Sequence, residues 1–207
     1  MDAASQLLAE NHTAGILSGL SVTNGYDAYL RRTRLYANTA TAFTSLYGYD
    51  TASRLTGVTN GAFSAGYTYL ANSPLLNQVT FKQSGTTRMT TTRQWDFLNR
   101  LGSIGSVPAA TNQLPLSYGY LCNDANQRVR VTLADGSFWL YSYDVLGQVI
   151  SGKRYWSDGT PVPGQQYEYG FDDIGNRTIA KAGGDAAGGN LRSAGYTNNV
   201  ANQLTSR

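Results

Sequence analysis

From about residue 19 onward the chain is written in short alternating blocks. Arg128-Val-Arg-Val-Thr132 and Phe138-Trp-Leu-Tyr-Ser-Tyr143 alternate apolar and polar positions with a period of two, as half-buried strands do. Gln78-Val-Thr-Phe81 has the same texture. Asp-Gly pairs punctuate the blocks, at Leu133-Ala-Asp-Gly-Ser137 and Ser157-Asp-Gly-Thr-Pro-Val-Pro163, and such pairs favour turns. Helical periodicity is nearly absent. Its best instance is Asp2-Ala-Ala-Ser-Gln-Leu-Leu-Ala-Glu10, enough for two short turns.

The alternation is organised by a repeat, and internal repetition decides the fold before any local feature. Tyr47-Gly-Tyr-Asp-Thr-Ala-Ser-Arg-Leu55, Tyr141-Ser-Tyr-Asp-Val-Leu-Gly-Gln-Val149 and Tyr169-Gly-Phe-Asp-Asp-Ile-Gly-Asn-Arg177 share one pattern. It runs aromatic, any residue, aromatic, Asp, two residues, Gly, then a polar or basic residue. Weaker copies stand at Asn24-Gly-Tyr-Asp27, Tyr67-Thr-Tyr69, Arg93-Gln-Trp-Asp96, Tyr120-Leu-Cys-Asn123 and Tyr196-Thr-Asn-Asn199. The second aromatic position is held by Tyr26, Tyr49, Tyr69, Trp95, Cys122, Tyr143, Phe171 and Asn198, spaced 20 to 28 residues apart.

Each position of the repeat has a physical reason. Aromatics at i and i+2 point to the same face of a strand. The aspartates that follow (Asp27, Asp50, Asp96, Asp144 and Asp172) are placed to accept a hydrogen bond from the N–H two residues on, starting a turn. Four residues after the second aromatic stand Leu30, Ser53, Ser73, Asn99, Asn126, Gly147, Gly175 and Asn202. Gly and Asn dominate that position, and they tolerate a left-handed backbone best. One repeat is therefore strand, tight turn and returning strand. The predicted fold is all-β, with an N-terminal segment over 1–18, of short helical turns or the remnant of a preceding repeat. Eight tandem β-hairpins follow over 19–207, the last truncated.

These residues resemble the YD repeat of Rhs proteins, which also builds the shell of Tc-type insecticidal toxin subunits and the extracellular part of teneurins. The resemblance covers about Gly19 to Arg207. It is closest at Tyr141–Gly147 and Tyr169–Arg177. The copy at Tyr67 departs from it, with Leu70 for Asp and Pro74 for the basic residue. The resemblance implies hairpins paired side by side into one curved or spiralling antiparallel sheet around a hollow interior, often with an enclosed toxic domain. Residues 19–207 themselves show no Asp-Pro-rich self-cleavage segment and no distinct cargo domain, so the expectation is one part of a longer polypeptide or assembly. About sixteen strands at ~4.8 Å give a sheet roughly 75 Å wide, with edges open to further repeats or to copies of the chain. A chain that stays monomeric at high concentration would count against that association.

Composition agrees with many strands and turns. The 207 residues include 23 Gly and 15 Tyr but only 14% charged residues. The net charge of +3 rests on 13 Arg and 3 Lys. The arginines are spread along the chain, densest at Arg31, Arg32 and Arg34, so the charge argues for carboxylate and ring partners more than for nucleic acid. Cys122 is the sole cysteine, which excludes an intrachain disulfide. No run reaches a membrane span, and Met1–Ser5 lacks the features of a signal peptide.

Candidate chemistry is sparse. His12 is the only histidine and lies outside the repeats, so neither a triad nor a histidine metal cluster is supported. The recurring aspartates could pair for glycoside hydrolysis, but a residue that recurs with a turn is better explained by the turn. No phosphate loop is present, and no cofactor is expected. Tyrosine rows could stack sugars or bases; cross-strand packing explains them more simply. Asn11-His-Thr13 and Asn176-Arg-Thr178 match a glycosylation sequon. The expected function is non-enzymatic: a structural shell or surface-polymer segment, secreted or at the cell surface. The alternative is a glycan-binding adhesive module.

Overall fold

The computed structural model describes residues 5–38 and 42–206. These fall into two units, Met1–Gln94 with Gly105–Pro115, and Trp95–Ile104 with Leu116–Arg207. Among the described residues every regular element but one is a strand. The first unit holds β1 (Ala9–Asn11), β2 (Ser21–Tyr26), β3 (Arg32–Asn38), β4 (Phe43–Tyr49), β5 (Leu55–Asn60), β6 (Phe63–Tyr69) and β7 (Leu76–Gln83). β8 (Thr86–Trp95) and β9 (Leu101–Pro108) are divided between the units. The second unit continues with β10 (Leu116–Cys122), β11 (Arg128–Leu133), β12 (Phe138–Tyr143), β13 (Val149–Tyr155), β14 (Pro161–Phe171), β15 (Arg177–Gly183), β16 (Leu191–Gly195), β17 (Thr197–Asn198) and β18 (Leu204–Ser206).

Strands β1 to β16 hydrogen-bond in chain order in one sheet, and β17–β18 form a separate pair. This is the all-β tandem-hairpin fold that the repeat predicts. The eighth hairpin joins through β16, which pairs with β15. Its first strand breaks at Tyr196, whose N–H still donates to the Thr178 carbonyl at 2.9 Å.

The N-terminal segment is described in part. Of the stretch with helical signals, residues 2–4 lie outside the described residues, while Ala9–Asn11 is a strand paired with β2. Among the described residues the single helical element is a 3₁₀ turn at Gly15–Leu17.

The sheet is thin. Among the described residues the buried apolar side chains are Ala37, Val79 and Val162. The chain exposes 13350 Å²; two compact bodies sharing its 22.3 kDa would expose about 11,300 Å². Domains ordinarily bury a sheet face against a second layer. Here the stabilising contacts run within the sheet. Trp139 stacks on Tyr141 along β12 at 6.4 Å and on Tyr167 of β14 at 6.1 Å. Tyr141 also lies over Gly152, where an added Cβ would meet its ring at 3.4 Å.

Candidate functional site

Seven of the signature turns recur after every second strand of the sheet, from β2–β3 to β14–β15, and within each unit they share one edge of it; the eighth joins β17 and β18. In seven of the eight turns an Asp or Asn begins a five-residue loop closed by its own backbone. Asp50 N–H donates to the Arg54 carbonyl at 3.0 Å, and Ser53 N–H donates to the Asp50 carbonyl at 3.0 Å. The same pair closes the turns at Asp27, Asp96, Asn123, Asp144, Asp172 and Asn199.

The carboxylate locks the loop from inside. Asp50 Oδ1 accepts from the N–H of Ala52 and of Arg54, each at 2.9 Å. Asp27, Asp96, Asp144 and Asp172 repeat this double acceptance. The second bond, to residue i+4, is not visible in the sequence pattern.

The residue four after the Asp uses the other carboxylate oxygen. Nε of Arg31, Arg54 and Arg100 donates to Oδ2 of Asp27, Asp50 and Asp96 at 2.7 Å. Asn176 does the same for Asp172 at 2.9 Å, so the second sequon asparagine is held in its turn. These bonds keep the carboxyls ionised. The Arg31 side chain leads in depressing Asp27. For Asp50 and Asp96 the leading cause is the backbone N–H of Arg54 and Arg100, with the guanidinium next. For Asp172 it is the Asn176 side chain.

The same side chains reach forward into the next turn. Arg31 Nη1 donates to the Asp50 carbonyl at 3.1 Å and to Ser53 Oγ at 3.2 Å. Arg54 donates to the Ser73 carbonyl. Arg100 donates to the carbonyl of Asn123 and to Asn126 Oδ1, both at 3.0 Å. Asn176 donates to Asn202 Oδ1 at 3.3 Å. The guanidinium also covers the next second aromatic: Arg31 lies 4.8 Å from the Tyr49 ring centroid and Arg54 4.7 Å from that of Tyr69, within cation–π range.

The second aromatics reach the other way. Tyr49 donates its hydroxyl to the Arg32 carbonyl, Tyr69 to that of Leu55, and Tyr143 to that of Arg128, each at 2.8 Å. Each acceptor opens the preceding returning strand. Tyr26 finds an equivalent acceptor in Leu7, at 3.3 Å. Asn198, which lacks a ring, still aims its amide at the Arg177 carbonyl at 3.5 Å. At the second aromatic the pairing slips by one residue in seven hairpins, at Tyr26, Tyr49, Tyr69, Cys122, Tyr143, Phe171 and Asn198. Such a bulge re-aims side chains. No composition signal marked it.

The left-handed residue falls where the sequence placed it in seven turns, including the unfavourable Leu30 and Ser53 at φ near +60°. The third turn is the exception. It runs from Leu70 to Leu75, one residue longer, so its left-handed residue is Asn72 and not Ser73. Leu75, not Pro74, stands where other turns carry the basic or polar residue, because Leu70 N–H donates to the Leu75 carbonyl at 2.9 Å.

The remaining candidates stand apart. Cys122 is half-buried at a bulge position. His12 Nε2 lies 3.2 Å from Glu10 Oε1. Among the described residues no three acidic, histidine or cysteine side chains converge, and no helix is long and apolar enough to cross a membrane.

No family model and no curated protein matches this chain. Solved structures share its fold. The crystal structure of TcdB2-TccC3-TEV matches with a TM-score of 0.63 at 12% identity, over 95% of this chain. TcdB2-TccC3-Cdc42 matches with 0.58 at 11% over 90%. TcdB2-TccC3 without its hypervariable C-terminal region matches with 0.53 at 13% over 89%. The chain spans 12% of the length of each of those chains.

Proposed function

We propose that this chain is a segment of β-sheet wall of the Rhs/YD kind, with a structural rather than an enzymatic role. The observation that carries this reading is the two-way tie between consecutive hairpins. A side chain reaches forward to the next turn from Arg31, Arg54, Arg100 and Asn176, and a tyrosine reaches back, as Tyr49 does to Arg32. Within each unit such ties join neighbouring hairpins side by side. The carboxylates of Asp27, Asp50, Asp96 and Asp172 are held by their own turns, which leaves no poised acid–base pair among them.

The same ties weigh against the glycan-binding alternative, since the hydroxyls of Tyr49, Tyr69 and Tyr143 are occupied by backbone carbonyls. On the resemblance to the YD repeat, the wall belongs to a larger secreted or cell-surface shell around an enclosed domain, and the fold shared with TcdB2-TccC3 supports the wall itself. Further repeats, or copies of the chain, pair with the open strand edges. Electron microscopy of the native assembly tests this. A hollow or filamentous particle built from stacked hairpins supports it. A dispersed monomer with saturable glycan binding, lost on replacing Tyr141 and Tyr143, overturns it.

A further inference from the structure

The rim formed by the signature turns carries apolar surface that closing the turns does not use. In the second unit five of these turns follow one another, at 96–100, 123–127, 144–148, 172–176 and 199–203. The tip of each is the pair of residues after the opening Asp or Asn. Six of these ten tip positions hold large apolar side chains: Phe97, Leu98, Val145, Leu146, Ile174 and Val200. Phe97, Val145 and Val200 are almost wholly exposed, and the other three more than half. The backbone bonds that close each loop run between its first, fourth and fifth residues, so the tip side chains are spare.

The tips stand in a fixed row. Arg100 joins the first of these turns to the second, and Asn176 joins the fourth to the fifth. Gln127 reaches toward Gly147 and Gln148 toward Gly175, where an added Cβ would meet their amide nitrogens at 3.3 and 3.0 Å. Neighbouring signature turns of the sheet lie two strands apart, so their tips recur every ~9.6 Å. The opposite rim of the same unit differs. Its tips are Ala134-Asp135, Ser157-Asp158 and Ala186-Ala187, with no large apolar side chain among them.

We propose that the signature-turn rim of the second unit binds a second copy of the chain, rim to rim about a twofold axis. A partner row with the same ~9.6 Å period is supplied by the chain itself. The contact is isologous, because apolar tips occupy one rim of the unit and not the other. The area suffices. Each of the six side chains offers about 60–120 Å² of apolar surface, roughly 400–700 Å² per copy in all. A standard interface takes ~800 Å² per partner, a little over half of it apolar. Asp124 and Asp173 are the only charged side chains at the tips, so the contact is held by apolar burial and opposed by like charge.

Sedimentation velocity of the full chain over a concentration series tests this. The chain is expected to pass from monomer to dimer, and the dimer to tighten as salt is raised, because salt screens the carboxylates. Phe97→Ser with Val145→Ser and Val200→Ser is expected to weaken dimerisation by at least about tenfold, while thermal melts confirm folding. Asp124→Asn with Asp173→Asn is expected to strengthen it. Ala134→Lys with Ala187→Lys, on the opposite rim, is expected to leave it unchanged. Should the serine variant unfold, the salt response and the asparagine pair still decide the matter. A monomer at every concentration, a dimer loosened by salt, or loss of the dimer on changing the opposite rim overturns the proposal. So does association that the folded serine variant retains; that result would favour pairing at the open strand edges instead, so the wall reading stands or fails separately.

Discussion

Arg100 donates from Nη1 to the carbonyl oxygen of Asn123 at 3.0 Å, joining two turns 23 residues apart. Its Nε holds Asp96 Oδ2 at 2.7 Å at the same time. Only a planar fork makes both bonds at once, and a lysine ammonium is a single point charge. Arg100→Lys is therefore expected to keep some attraction to Asp96 and lose the tie. Hydrogen exchange should rise together at the turns 96–100 and 123–127, with the turn at 144–148 unaffected. Exchange confined to the first turn would show that the two turns are not coupled.

The backward tie yields a gain-of-stability test. Tyr69→Phe removes one hydroxyl bond to the Leu55 carbonyl, which costs about 0.5–1.5 kcal/mol and lowers the melting temperature by roughly 1–6 °C. Phe171 stands at the same position without a hydroxyl. Its counterpart acceptor is the carbonyl of Val149, the residue paired with Tyr143. Phe171→Tyr is expected to raise the melting temperature by a similar amount. A decrease would mean that the repeat geometry does not extend to the seventh hairpin.

The repeat made the fold legible. Aromatics two apart, followed by Asp and a left-handed residue, identified each hairpin and its turn, including Asn99, Asn126 and Asn202. The ties between hairpins were not legible, because they depend on which residues become neighbours across strands. Nothing near Arg31 in sequence indicates that it meets the Asp50 carbonyl and the Tyr49 ring. The third turn misled for a local reason: one extra residue, with Leu70 in place of Asp, moved the left-handed position to Asn72.

Glycine at the left-handed position serves clearance as well as backbone freedom. At Gly175, φ is +88° and an added Cβ would lie 3.0 Å from Gln148 Nε2, reaching from the preceding turn. Gly159 has a similar φ of +87° with nothing within 4 Å. Gly159→Ala should cost about 1–2 kcal/mol, the left-handed penalty alone. Gly175→Ala should cost more, and Gln148→Ala in that background should recover part of the difference. Equal costs at the two glycines, by denaturant unfolding, would remove the clearance argument.

The turn carboxylates set an acid limit on the fold. Asp27, Asp50 and Asp96 titrate below the ordinary carboxylate range in the folded chain, while the unfolded chain titrates near ~3.9. The unfolded state therefore binds protons first as pH falls. The turns' contribution is complete above ~pH 4 and is lost as pH drops through the folded values. Asp27 is depressed first by the Arg31 side chain and Asp50 first by the Arg54 backbone N–H, with the Arg54 side chain next; a replacement keeps the backbone bonds. Arg31→Gln and Arg54→Gln should thus each raise the titration midpoint of their own aspartate without raising it to the unfolded value. Carboxyl-carbon NMR titration of the three proteins measures both midpoints, and a midpoint that does not move would mean that the guanidinium contributes nothing at that turn.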